Sequence, residues 1–280
     1  MRVLVTGAVG MIGKSLVSAL LQKGYEVVGV DISMNEDERI VHKSLDLNDL
    51  DGFKKIILDY KVERIIHLAA LAHTSKKTRY TWEQYYNVNV ECAKNVFEAA
   101  GEIPVLFIST VDVYGFFDGK DKVNSKTPIR PISNYGKSKA MAEAECKKLQ
   151  YYDIFRFAPV YTNDIKRDIQ KRYYLKYPNI AYKIGKGQEY EILNVDLAVQ
   201  TMVNWCNKVP ENCIHIIKDP KNMWTPDYIK AEKKVGRARC VLYVPRWMVR
   251  VGYASFKFIF GENELIYLLS KAANPLKSEQ

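Results

Sequence analysis

A short apolar strand that runs straight into three glycines spaced three apart, Gly7, Gly10 and Gly13, limits what this chain can fold into more than any other feature. Arg2-Val3-Leu4-Val5-Thr6 reads as the strand, and Ile12, Leu16, Val17, Leu20 and Leu21 recur at helical spacing after the turn. Gly7-Ala8-Val9-Gly10-Met11-Ile12-Gly13 lets the backbone turn tightly and brings main-chain amides close to a pyrophosphate, which the positive end of the helix attracts. The spacing is G-x-x-G-x-x-G, not G-x-G-x-x-G, and alone it is moderately specific. The next strand, Glu26-Val27-Val28-Gly29-Val30, ends at Asp31, near the roughly 20-residue offset at which a carboxylate receives the adenosine ribose hydroxyls. An acid there repels a 2′-phosphate, and no basic residue follows at Ile32 or Ser33, so the expected cofactor is NAD and not NADP.

The rest of the chain keeps the same rhythm for about half its length. Strand-like runs near Val3, Val27, Ile65, Val105 and Ile154 alternate with helix-like runs after Gly10, Asn48, Thr81 and Tyr135. This alternation predicts an α/β fold, a Rossmann-like doubly wound parallel sheet with right-handed crossovers. After Arg156-Phe157-Ala158-Pro159-Val160-Tyr161 the rhythm breaks. The division expected is a cofactor domain over 1–160, with 195–215 returning to it, and a smaller mixed substrate lobe over 161–194 and 216–280.

Within that frame, Tyr135 and Lys139 stand one helical turn apart in Ser133-Asn134-Tyr135-Gly136-Lys137-Ser138-Lys139, and on a helix they share a face. Bringing a phenol from about 10 towards 7 takes about 4 kcal/mol, more than one ordinary hydrogen bond of about 1 kcal/mol supplies. A charge must contribute, and Lys139 is the nearest in sequence. A Tyr and a Lys at this spacing are common on exposed helices, so the pair takes its weight from the glycine turn.

Together these landmarks resemble an extended short-chain dehydrogenase/reductase of the epimerase/dehydratase type, which modifies nucleotide-linked sugars. Asp46-Leu47 is similar to the family's acid-leucine pair beside the adenine, and His67-Leu68-Ala69-Ala70 to the small-residue strand end under the cofactor. Asn89 matches a helix asparagine, and Ser109-Thr110-Val111-Asp112-Val113-Tyr114-Gly115 resembles the segment with the third catalytic residue, which places Thr110 in that role. The resemblance implies Thr110, Tyr135 and Lys139 as catalytic residues. It implies a cofactor site of Gly7, Gly10, Met11, Ile12, Gly13, Asp31, Asp46, Leu47, Leu68, Ala69, Ala70, Asn89, Ser109, Tyr135, Lys139, Pro159 and Val160. His73, Thr74, Thr110 and Tyr161 are the candidate substrate contacts, with Trp82 and Tyr190 as further lining residues. A homodimer through helices around 82–100 and 134–149 is also implied, and Val88, Cys92, Val96 and Ala99 fit either that face or ordinary core packing.

Departures from the family pattern shape the expected reaction. Dehydratases usually carry Asp-Glu after the catalytic Thr, where this chain has Val111-Asp112; Pro159 replaces an expected Asn, and Tyr161-Thr162-Asn163 replaces Tyr-Gly-Pro. Classical 4,6-dehydration is therefore disfavoured. An NAD-dependent epimerase acting through a transient keto intermediate is the leading expectation, with a keto-sugar reductase or other alcohol dehydrogenase of the family, or a non-catalytic NAD-binding redox sensor, as alternatives.

Composition narrows the setting. No run of about 18 uncharged apolar residues occurs and no signal peptide precedes the first strand, so a soluble cytoplasmic protein without membrane insertion is expected. The cysteines Cys92, Cys146, Cys206, Cys213 and Cys240 form no C-x-x-C pair, and His42, His67, His73 and His215 have no ligand spacing; buried free thiols and no metal are expected. A formal charge of +10 attracts anions of any kind. The basic run Lys166–Lys176 reads as a solvated helix covering the small lobe with Ile169, Tyr173 and the Lys176 stem, in preference to a nucleic-acid surface; Lys166, Arg167 or Arg172 could meet a substrate diphosphate. Val244–Arg250 followed by Phe256–Phe260 has the pattern of a membrane-surface helix, but tertiary packing is the favoured use.

Overall fold

The computed structural model describes residues 1–34, 37–72, 80–117, 119, 121–164 and 167–279, the last stretch without the side chains of 167 and 168. Two compact units interleave along the chain: Met1–Val111, Asn134–Phe157 and Val195–His215 make the first, and Asp112–Ser133, Ala158–Asn194 and Ile216–Gln280 the second.

The first unit is built on β1 (Arg2–Thr6), α1 (Met11–Gln22), β2 (Glu26–Asp31), β3 (Val41–Ser44), α2 (Leu50–Asp59), β4 (Arg64–His67), α3 (Trp82–Tyr86), α4 (Cys92–Ala100), β5 (Val105–Thr110), α5 (Asn134–Cys146), β6 (Tyr152–Phe157) and α7 (Val195–Trp205), with β12 (Ile214–Ile217) at one edge of its sheet. The strand order is β12-β6-β5-β4-β1-β2-β3, and the pairs β1/β2, β1/β4, β2/β3, β4/β5 and β5/β6 are all parallel. The order reverses between β1 and β4, the switch point at which open α/β sheets bind ligands. Strands covered on both faces read as unbroken apolar runs, as in Val3-Leu4-Val5 and Val105 to Ile108, all buried. Leu4, Val28, Phe53, Ile65, Val96, Phe97, Val105 and Phe107 belong to this core.

The second unit holds β7 (Val160–Tyr161), α6 (Arg167–Gln170), β8 (Tyr174–Lys176), β9 (Ile180–Ile184), β10 (Glu189–Tyr190), β11 (Leu193–Asn194), β13 (Met223–Trp224), α8 (Thr225–Lys234), β14 (Cys240–Val244), α9 (Arg246–Phe260) and α10 (Glu264–Ala273). Its strands form small sheets, β14-β9-β8, β10-β13 and β11-β7, of mixed direction. Ile169, Tyr173, Tyr174, Tyr190, Ile192, Met223 and Ile229 form its own core.

Several expectations need correction. Residues 112–133, assigned from sequence to the cofactor domain, belong to the second unit. The Asp112 carboxylate accepts hydrogen bonds from Ser133, from the Tyr267 hydroxyl at 2.7 Å and from Lys271, and Val123 pairs with the backbone of Lys277 and Glu279. The basic run is not one helix: α6 stops at Gln170, Ile169 and Tyr173 are buried, and Lys176 lies exposed in β8. Three of the five thiols are buried, whereas Cys213 and Cys240 are exposed. Cys92 and Val96, whose spacing fitted a dimer face or core packing alike, sit in the first unit's core.

Candidate active site

The glycine turn is closed by its own backbone. Gly7 adopts φ 70° and donates to the Val30 carbonyl at 2.8 Å, while Gly10 donates to the Gly7 carbonyl at 3.1 Å. A Cβ on Gly13 would strike the Gly7 carbonyl oxygen and stand 2.8 Å from the Ala8 backbone, and one on Gly7 would stand 2.8 Å from the Ala69 nitrogen. No side chain caps α1 at Gly10, which leaves its first amides for an anion. Asp31 Oδ2 accepts from the Val9 amide at 3.0 Å, tying the carboxylate at the end of β2 to the turn. Gly13→Ala is expected to weaken NAD binding at least tenfold and to cost about 1–3 kcal/mol of stability, since backbone blocks the added methyl. Cofactor titration and thermal melting check both effects.

The other cofactor candidates divide by what their polar groups already do. Asp46, exposed, accepts from the Asn48 backbone and side chain at 2.9 Å, and buried Leu47 accepts from Asn95 at 2.9 Å. Leu68, Ala69 and Ala70 follow β4, where Thr6 Oγ1 accepts from the Ala69 amide at 3.3 Å and meets His67 Nδ1 at 2.7 Å. His67 is a core histidine, pushed down to about 3 by burial and by the Lys139 charge. Asn89 lies in a π-helical turn over Asn87–Glu91, a distortion frequent at functional sites. Its amide bonds both backbone groups of Leu71, at 2.7 and 3.0 Å, and Ser138 at 2.9 Å, while Ser138 donates to the Tyr135 carbonyl. Asn89 therefore fastens the loop after β4 to the helix that carries Tyr135.

Tyr135 and Lys139 stand one turn apart on α5, and Thr110 closes β5, on which α5 packs. Tyr135 is half-buried, its ring 6.4 Å from that of Tyr85. Lys139 is 1% exposed, with its ammonium 4.0 Å from the centre of the Phe107 ring. Burial pushes it down to about 7, against the Glu143 charge, which holds it up. One turn beyond Lys139, Glu143 accepts from Ser109 at 2.6 Å and from Arg156 at 2.9 and 2.6 Å. Sequence reading missed this buried pair, although an arginine inside the apolar strand Ile154-Phe155-Arg156-Phe157 is itself a signal that an anion lies nearby. Ser109, proposed for the cofactor, spends its hydroxyl on Glu143.

Lys139 also gives a pH signature. Between pH 7 and 10.5 the unfolded chain binds the proton that folded Lys139 has lost, so its contribution to stability rises with pH across that window and falls away as pH drops to 7. The expected slope is at most about 1.4 kcal/mol per pH unit. Urea unfolding of wild type and Lys139→Met at pH 7 and 9.5 isolates it; a difference that shrinks with pH contradicts the assignment.

The chain matches the NAD dependent epimerase/dehydratase family over residues 3–199. It belongs to that family. NAD is accordingly its cofactor. Among similar proteins, bifunctional protein gal10 of Schizosaccharomyces pombe is 34% identical over 170 residues, 54% of this chain and 24% of that one. UDP-arabinose 4-epimerase 1 of Arabidopsis thaliana is 31% identical over 157 residues, 50% of this chain and 37% of that one. The match thus spans well under two thirds of either relative. UDP-glucuronic acid 4-epimerase from Bacillus cereus, solved with NAD, shares the fold with a TM-score of 0.71 at 24% identity, covering 88% of this chain and 87% of that one.

His73 and Thr74 fall outside the described residues. Trp82 starts α3, with its ring 5.9 Å from that of Tyr86. Pro159, Val160 and Tyr161 belong to the second unit: the Pro159 carbonyl accepts from Leu193 at 3.0 Å, and the Tyr161 hydroxyl donates to Asp219 at 3.0 Å. Tyr190 is packing; it is 4% exposed, donates to Gln188 at 2.7 Å and lies under the Arg172 guanidinium. Asp112, the acid retained after Thr110, is held below its ordinary value: burial works to raise it, but the Lys271 charge and the bonds from Lys271, Ser133 and Tyr267 prevail.

Proposed function

We propose that this protein is an epimerase of a nucleotide-diphosphate sugar, working through a transient keto form of the sugar with Tyr135 as acid and base. The observation that carries the reading is Tyr135 one turn before buried Lys139 on α5, the helix that packs on the strand ending at Thr110, in a chain of an NAD-dependent family. NAD, when bound, supplies a two-electron acceptor that returns the hydride it takes. Gly7, Gly10 and Gly13 with the start of α1 would seat its pyrophosphate, Asp31 its adenosine ribose, and Asp46 and Leu47 its adenine. Met11, Ile12, Leu68, Ala69 and Ala70 would line its path. Tyr135 takes the sugar hydroxyl proton as the carbon is oxidised and returns it afterwards. Lys139, when protonated, would draw Tyr135 towards phenolate and would hold the nicotinamide ribose, while Thr110 would hydrogen-bond the reacting oxygen.

The substrate class is supported by the names of the relatives, a UDP-arabinose epimerase among them. Dehydration is disfavoured, because its acid must deliver a proton and Asp112 is an ion already committed to Lys271, Tyr267 and Ser133. Pro159 in place of an amide side chain favours a second reading, a keto-sugar reductase that exchanges its cofactor; a redox sensor is disfavoured by the presence of Thr110, Tyr135 and Lys139 together. A cytoplasmic homodimer belongs to the same proposal, its assembly state to be read by sedimentation.

The test is to denature purified protein, assay the supernatant for NAD, and incubate fresh protein with a panel of nucleotide sugars. Stoichiometric NAD with an isobaric product supports the epimerase. No retained cofactor, with turnover of a keto-sugar only when NADH or NADPH is added, replaces it with the reductase.

A further inference from the structure

The whole formal charge of +10 lies in the second unit. The first unit holds nineteen Lys and Arg against nineteen Asp and Glu, and the second twenty-three against thirteen. The excess is most concentrated from Lys233 to Phe260, which contains seven cations and no acid. This stretch includes α9, fifteen residues long, of which none is buried.

Residues at i, i+4 and i+11 share a face of a helix. On α9 that spacing gathers Trp247, Val251 and Phe258, which are 66%, 55% and 92% exposed, with Met248 and Ile259 alongside. The same spacing sets Arg246, Arg250 and Lys257 in a file along one edge of the apolar stripe. Lys257 pairs with Glu262 at 2.8 Å, but neither Arg246 nor Arg250 makes a salt bridge among the described residues. At the start of the helix a cleft of about 800 Å³ is lined by Lys186, Tyr243, Arg246, Trp247 and Lys277, with one acid, Glu189. The tertiary packing expected for this segment from sequence is met on one side, where α9 packs on α10 and Val249, Tyr253 and Lys257 are half-buried, while the face of Trp247, Val251 and Phe258 stays open.

We propose that α9 docks the protein on an anionic lipid surface, lying in the headgroup plane with Trp247, Val251 and Phe258 facing the acyl boundary and Arg246 and Arg250 on lipid phosphates. An apolar stripe edged by cations and carrying aromatic residues is the pattern of an interfacial helix. No helix among the described residues is long and apolar enough to cross a membrane, so the association is in-plane. Charge separates this occupant from a second copy: a symmetric contact through α9 would bring two acid-free cationic segments together, whereas anionic headgroups neutralise them.

The experiment is co-sedimentation of the full chain with vesicles of phosphatidylcholine alone and with one third phosphatidylglycerol, in about 0.1 M salt. Binding at least ten times stronger to the anionic vesicles is expected, with a blue shift of Trp247 emission that Trp247→Phe removes. Each surface cation is worth roughly a factor of five, so Arg246→Ala with Arg250→Ala should weaken binding about 25-fold. Phe258→Ser should weaken it without changing thermal stability or NAD binding, since its ring lies in solvent. Equal binding to both vesicle types, binding to neither, or retention by Phe258→Ser overturns the proposal. So does a dimer in sedimentation velocity that Phe258→Ser dissociates and that ignores vesicles; that result assigns the face to a second copy.

Discussion

Tyr135→Phe is expected to lose about 10² to 10⁴ in turnover while still binding NAD, because the change removes one hydroxyl and leaves the ring in place. The hydroxyl is the only part of Tyr135 that exchanges protons. Its removal leaves Lys139 over Phe107, the glycine turn and the Asn89 clamp on the β4 loop untouched. Cofactor content after denaturation should match wild type, and the melting temperature should move little. The discriminating measurement is turnover of the nucleotide sugar that wild type converts, beside a cofactor titration. Near-wild-type turnover would remove Tyr135 from the acid and base role, and loss of NAD together with activity would make it a structural residue.

The second large effect concerns stability. Glu143→Ala is expected to destabilise the protein by about 3–5 kcal/mol, because it strands Arg156, 1% exposed, without its carboxylate partner. Both ends of the pair are buried and joined by two hydrogen bonds, and Ser109 donates a third to the same carboxylate. The loss also removes the anion that holds Lys139 up, so the lysine should carry charge less often at neutral pH. Glu143→Met combined with Arg156→Leu should recover most of the stability, since apolar replacements of similar volume leave no orphan charge. Urea midpoints of the two single variants and the double variant measure the coupling; additive losses would place the energy in packing and not in the pair.

How far the sequence reached follows from what each part depends on. The sheet was legible because strands covered on both faces must be apolar along their whole length, as in Val3-Leu4-Val5, and because glycine alone fits the positions at Gly7 and Gly13. Tyr135 and Lys139 were legible because helical spacing is local. Asp112 was placed with the wrong unit because its partners, Tyr267 and Lys271, come some 150 residues later, and no local pattern records such a contact. Tyr190 offered the same difficulty: a tyrosine in a substrate lobe reads alike whether it lines a site or fills a core, and its burial beneath Arg172 decides the matter. For α9 the pattern itself was visible, but its use was not, since amphipathicity does not say whether protein or solvent meets the apolar face.

The interleaving of the two units governs how the chain is made. Helix α1 packs with α7, which begins at Val195, and one edge of the main sheet is supplied by β12, from Ile214. Roughly 180 residues separate α1 from α7, about ten to forty seconds of synthesis at ordinary ribosome speeds. During that interval the nascent cofactor unit presents α1 without its partner helix. The first unit therefore completes its folding only after α7 and β12 have been made, and an early stall of translation yields a sticky fragment instead of a working domain.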